Sequence, residues 1–122
     1  QQELGLSYLF ITHNLAVVEY VAHKVCVMYL GRIVERGTVQ EVMHNAQHPY
    51  TRALLSAVPK IDGNGVEVIR LAGEMPSPAN PPQGCHFHPR CAQAMAVCRV
   101  GYPEVTPLTG THQVHCHLLS QK

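Results

Sequence analysis

The chain has 122 residues, 9 Lys+Arg against 8 Asp+Glu, and a formal net charge of +1, which excludes the strongly basic field that holds a nucleic-acid backbone or an anionic membrane. Charged residues make up 14% and apolar ones 46% of the chain, a balance that argues against disorder and for a surface partly covered by something else. The longest apolar run, Val25–Leu30, falls far short of the roughly 20 residues a membrane span needs. No signal-peptide pattern is visible. The chain opens on Gln1 rather than Met, so a cut or processed piece of a longer protein is expected.

Composition divides the chain. Residues 1–60 hold two of the nine Pro and one of the five Cys, and residues 61–122 hold the rest. The shift falls in Pro59–Gly65, where Pro59, Gly63 and Gly65 break regular structure. Two units are expected, 1–60 and 61–122.

In the first unit, Leu6–Thr12 reads as a strand covered on both faces, as in a parallel sheet. Asn14 is placed to cap the following helix, whose stripe is Leu15, Val18 and Ala22. Val25–Leu30 reads as a second buried strand, with Cys26 as core filler, and Gly31 turns the chain into a hairpin partner at Arg32–Glu35. Thr38 with Glu41 three residues on forms a capping box for a helix that turns Val39, Val42 and Met43 inward. Pro49 suits a first helical turn, Tyr50–Val58 continues the helix, and Pro59 ends it. This strand–helix–strand order belongs to a larger α/β sheet. Its unpaired edges favour self-association of the piece by itself.

His13 ends the first strand, where open α/β sheets bind ligands. A histidine there serves either as a capping or satisfied loop residue, or as a contact to a phosphate oxygen that also orients a water. Leu9-Phe10-Ile11-Thr12-His13-Asn14-Leu15 resembles the switch (H-loop) segment of ABC-transporter ATPases. Val25–Gly37 resembles the strand pair that follows it there, and His48-Pro49-Tyr50-Thr51-Arg52 is similar to the segment closing the nucleotide-binding domain of the dipeptide/oligopeptide importers. The resemblance implies that His13 contacts the γ-phosphate of ATP, bound with Mg, in a full-length subunit. Asn14 stands where that family usually has Asp, and His23-Lys24 where Asp-Arg or a similar pair is common. The sequence has no Gly-x-x-x-x-Gly-Lys-[Ser/Thr] loop, no Leu-Ser-Gly-Gly-Gln signature and no apolar run ending in Asp-Glu. Phosphoryl transfer needs those parts, so this chain alone is expected not to hydrolyse ATP.

Cys85, Cys91, Cys98 and Cys116 follow the spacing C-x5-C-x6-C-x17-C. Two disulfides need an oxidising compartment to which nothing points. Free structural thiols prefer apolar strands and helices, whereas these sit among Pro, Gly and His. Zinc normally takes closer Cys pairs, although His86, His88, His115 and His117 lie near enough in sequence to join an irregular site. An iron–sulfur cluster accepts looser spacing. Gly73–Cys91, with Pro76-Ser77-Pro78, Pro81-Pro82, Gly84-Cys85 and Pro89-Arg90-Cys91, resembles the C-terminal extension of the same peptide-importer ATPases, and Cys98 and Cys116 match its later cysteines. The resemblance implies that the four thiolates hold a [4Fe–4S] cluster. Around such a cluster Arg90 and Arg99 offset negative charge, Gly84 allows close backbone approach with N–H groups aimed at sulfur, and Phe87 packs a small core and excludes water. His112, His115 and His117 read as exposed strand residues.

The fold class expected is therefore α/β, the C-terminal part of an ABC-type nucleotide-binding domain followed by a small irregular Cys/Pro-rich extension. The function expected is part of the ATP-binding subunit of a di-/oligopeptide importer. Its partners would be a second ATPase subunit and transmembrane permease subunits, with no nucleic acid, on the cytoplasmic face of a bacterial inner membrane. The alternatives are a free-standing metal-binding interaction module with zinc or iron–sulfur at the four cysteines, and a truncated product without function.

Overall fold

A computed structural model of the chain describes residues 15–57, 71 and 76–120. The expected strand Leu6–Thr12, His13 and the Asn14 cap lie outside the described residues.

Helix α1 (Leu15–Val21) leads into β1 (Lys24–Tyr29), and β2 (Arg32–Thr38) returns antiparallel beside it. The turn between them is two residues, Leu30 at φ 49° and Gly31 at φ 79°. Two successive positive φ angles match the right-handed twist of a hairpin, and Gly31 adopts its angle without a Cβ penalty. Thr38 then caps α2 (Val39–His44): Glu41 N donates to Thr38 Oγ1 at 3.2 Å, and Thr38 N donates to Glu41 Oε1 at 2.9 Å. Val42 on this helix is buried. Pro49 opens α3 (Pro49–Ser56) at the position where its missing N–H costs nothing.

Past Pro76 the chain is mostly irregular, with 3-10 turns at His88–Arg90 and Ala96–Arg99. It ends in β3 (Thr106–Pro107), β4 (Gln113–Val114) and the short helix α4 (His117–Ser120). The two short strands do not stand apart. They extend the hairpin into one antiparallel sheet of order β1-β2-β4-β3, with Glu35 opposite Val114 and Arg36 opposite Gln113. The second strand of the hairpin runs on to Thr38, beyond the expected Glu35, with Gly37 and Thr38 still paired to Val25 and Lys24 of β1.

Two expectations for this region are corrected. Val25–Leu30 is not a buried strand: β1 alternates exposed and part-buried residues up to Tyr29, and Cys26 is exposed rather than core filler. Among the described residues the strand pairs with β2 alone, and its exposed residues fall on one face, so the period-2 pattern prevails over the apolar run.

The small core holds Tyr29 and Val34 from the hairpin and Phe87 from the later segment. Tyr50 of α3, Leu71, Cys85 and Cys91 pack around it. Side chains from well-separated parts of the sequence therefore share one core.

Candidate functional site

A shallow recess, partly open to solvent and with about 10 Å³ of room, lies beside this core. All four cysteines singled out from the sequence, Cys85, Cys91, Cys98 and Cys116, line it. His48 and Pro49 at the start of α3 and Phe87 also line it.

Local backbone structure explains the convergence. Gly84 has φ 77°, and a Cβ there would lie 2.4 Å from the Cys98 carbonyl oxygen. Only glycine lets the two stretches of chain approach this closely. The neighbouring Cys85 N donates to Cys98 O at 2.8 Å, which holds the first and third cysteines together. The 3-10 turn after Phe87 carries the chain from Cys85 to Cys91, and His88 fixes it by donating Nδ1–H to Cys85 O at 2.7 Å. Cys116 follows β4.

Met95 N donates to Cys98 Sγ at 3.4 Å. Backbone N–H groups of Phe87, Gln93 and Leu118 lie near Cys85, Cys91 and Cys116 and favour their charged forms, while His88 N donates to Cys85 O at 3.1 Å. Burial acts against the thiolate and wins. Burial pushes the Cys85 and Cys91 thiols up, and the neighbouring sulfurs add to the shift. Cys116 is pushed up to about 11, chiefly by burial, with Cys85, Cys91 and Cys98 each contributing. Burial thus holds the protons on Cys85, Cys91 and Cys116 until a positive centre offsets the charge.

His48 is buried and neutral. Its Nδ1 accepts from Tyr50 N at 3.0 Å, and burial brings its pKa down to about 4, with a smaller push from His115. His115 donates Nδ1–H to Pro103 O at 3.2 Å, and His117 donates Nε2–H to Gly101 O at 2.7 Å. His112 corrects the expectation of an exposed strand residue. It is 1% exposed, and its Nε2 lies 2.6 Å from Glu35 Oε2. Phe87 is fully buried, as its expected packing role requires.

Sequence reasoning missed Glu35. This carboxylate is 0% exposed and accepts from Gln47 N, His48 N and His112. An acid directly after the apolar pair Ile33-Val34 was the one signal in the sequence, and a buried acid requires partners.

Among the described residues no three His, Cys, Asp or Glu side chains are gathered closely enough to hold a single metal ion. Neither the zinc nor the iron–sulfur expectation therefore gains support from the described side chains. A cluster of several atoms would hold its cysteines farther apart than one ion with Zn–S bonds of about 2.3 Å, and the recess would offer it four cysteines among histidine and apolar neighbours.

Residues 34–98, more than half of the chain, match the model of the family described as "Oligopeptide/dipeptide transporter, C-terminal region". The chain belongs to that family. Within it, the chain is 52% identical over 95% of its length to the dipeptide transport ATP-binding protein DppF of Haemophilus influenzae, and 49% identical over 99% to DppF of Escherichia coli. It is 48% identical over 98% of its length to the oligopeptide transport ATP-binding protein AppF of Bacillus subtilis. The chain spans 36% of the length of either DppF and 37% of AppF. Among the described residues no helix is long and apolar enough to cross a membrane.

Proposed function

We propose that this chain is the closing part of the ATP-binding subunit of an importer for di- or oligopeptides. The observation that carries the reading is its alignment, almost end to end, with transport ATP-binding proteins at about half identity. In the whole subunit His13 would contact the γ-phosphate of ATP, and parts outside this sequence would grip nucleotide and Mg. The subunit would sit peripherally on the cytoplasmic membrane face, against a second ATPase subunit and the permease subunits.

Within that subunit, Cys85, Cys91, Cys98 and Cys116 would hold an iron–sulfur cluster of the [4Fe–4S] type. The reading rests on their shared recess and on the backbone N–H groups near the sulfurs. When bound, such a group supplies a cross-link between distant segments and a site for one-electron chemistry. The residues around it act structurally. Phe87 excludes water, and His48, held neutral by burial, lines the recess without adding charge.

The test is iron and sulfide analysis, with a visible absorption spectrum, on the full-length subunit purified without oxygen. Coloured protein that loses its iron in Cys85→Ser supports the cluster. Colourless, iron-free protein, or unchanged iron in that variant, overturns it. Loss of ATP turnover in His13→Ala, with nucleotide binding kept, supports the transport reading, and full turnover in that variant overturns the role given to His13.

A further inference from the structure

The pairing that brings Cys116 to the recess is short. Strand β4 has two residues, and its ladder to β2 pairs Glu35 with Val114 and Arg36 with Gln113. One more bond, from His115 N to Val34 O at 2.8 Å, follows it. So brief a ladder specifies its register weakly, and a slip of one residue exchanges the two faces of a strand. Here the inward residues are His112, Val114 and Cys116, all at most 8% exposed, and they alternate with the part-exposed Gln113 and His115. A slip would turn Cys116 away from the other three sulfurs.

Glu35 and His112 oppose that slip. Glu35 Oε2 accepts from Gln47 N at 2.9 Å and lies 2.6 Å from His112 Nε2, while Oε1 accepts from His48 N at 2.9 Å. The His112 backbone is fixed as well: its N donates to Thr109 Oγ1 at 2.9 Å and its carbonyl accepts from Leu108 N at 2.8 Å. Any other register leaves a buried carboxylate without one of its partners, the kind of penalty by which buried polar pairs select one arrangement over its neighbours. The same carboxylate holds His48, which lines the recess.

We infer that the buried Glu35–His112 contact is a register lock that delivers Cys116 to the recess, so that both are positioning residues for cluster binding. This rests on the reading that the four thiols hold a cluster.

The experiment compares wild type, His112→Leu and His112→Gln in the full-length subunit. Two readouts are used: loss of visible absorption on titration with an iron chelator, and amide hydrogen exchange. His112→Leu is expected to lose its cluster to at least about tenfold less chelator, the scale seen when supports of a metal ligand are removed. The His115 amide should lose protection in this variant while the β1–β2 hairpin amides keep theirs. His112→Gln, which retains a donor toward Glu35, should restore both. Unchanged chelator resistance and His115 protection in His112→Leu overturn the inference. So does equal loss of protection across the hairpin, or no rescue by glutamine. Wild-type protein free of iron would instead overturn the cluster reading, and exchange at His115 would still decide whether the lock exists.

Discussion

The Phe87 ring meets Tyr29 edge-on, with centroids 5.2 Å apart and planes at 86°. Tyr29 ends the first strand of the hairpin, and Phe87 lies between the first two cysteines of the later segment. Tyr50 closes the group from α3, 5.3 Å from Phe87 and 4.8 Å from Tyr29. One ring therefore fastens the cysteine loop to the hairpin and to α3 together.

Removing that ring should be among the costliest single changes in the chain. Phe87 is 1% exposed, and Phe87→Ala is expected to lose about 3–5 kcal/mol, the usual range for a fully buried aromatic. Phe87→Leu, which fills more of the space, should lose less than half as much. Urea unfolding of both variants measures the difference.

Gly84→Ala is expected to destabilise by at least about 1–3 kcal/mol from backbone strain alone. The added methyl would also meet the Cys98 carbonyl oxygen at 2.4 Å, and backbone cannot swing aside as a flexible side chain does. Gly101→Ala has open space around its Cβ and should stay within about 0.5 kcal/mol of wild type. The two urea midpoints, read side by side, check the claim.

Glu41 predicts a feature of the acid limb. Hydrogen bonds from the Thr109 side chain, the Thr38 backbone and the Thr111 side chain hold its carboxyl down to about 2, from an ordinary 4.5. A depressed folded-state pKa contributes stability that is fully present above 4.5 and is lost as pH falls toward 2. Glu41→Gln should flatten stability against pH across that window, and the effect should be small because solvent screens a surface carboxylate. Urea midpoints at several pH values, for wild type and variant, provide the measurement.

Thiol labelling should rank the cysteines. Cys26 is exposed, whereas the Cys116 thiol is pushed up from 9.0 to about 11. That shift alone makes its reactive thiolate about a hundredfold scarcer at mildly alkaline pH. In reduced, chelator-treated protein, mass spectrometry after brief alkylation at pH 8 should find Cys26 modified first and Cys116 last. Early labelling of Cys116 would contradict the burial described for it.

The parts of this structure that depend on near neighbours were legible in the sequence. The Thr38–Glu41 box, the Pro49 helix entry and the Gly31 turn each rest on residues within a few positions of one another, so the pattern carries its own cause. The long-range parts were not. His112 and Glu35 are 77 residues apart, and no periodicity links them. β3 and β4 are too short to show alternation, so no pattern signals that the later segment extends the hairpin's sheet. Cys26 misled for the opposite reason: its apolar neighbours imitate a strand covered on both faces, while β1 is covered on one. The four cysteines were found by spacing and resemblance, but the carboxylate and histidine that orient the last of them carried no motif.

Strand β2 has company on both flanks, β1 from its own hairpin and β4 from far along the chain. Trimming the protein before Thr106 would therefore do more than shorten it. The hairpin would be left with a naked rim, the Val34 carbonyl would lose its bond from His115 N, and the Glu35 carboxylate would be stranded with only two backbone amides for company. Such a rim invites strand-to-strand aggregation, so the final residues act as a seal on a surface laid down long before them.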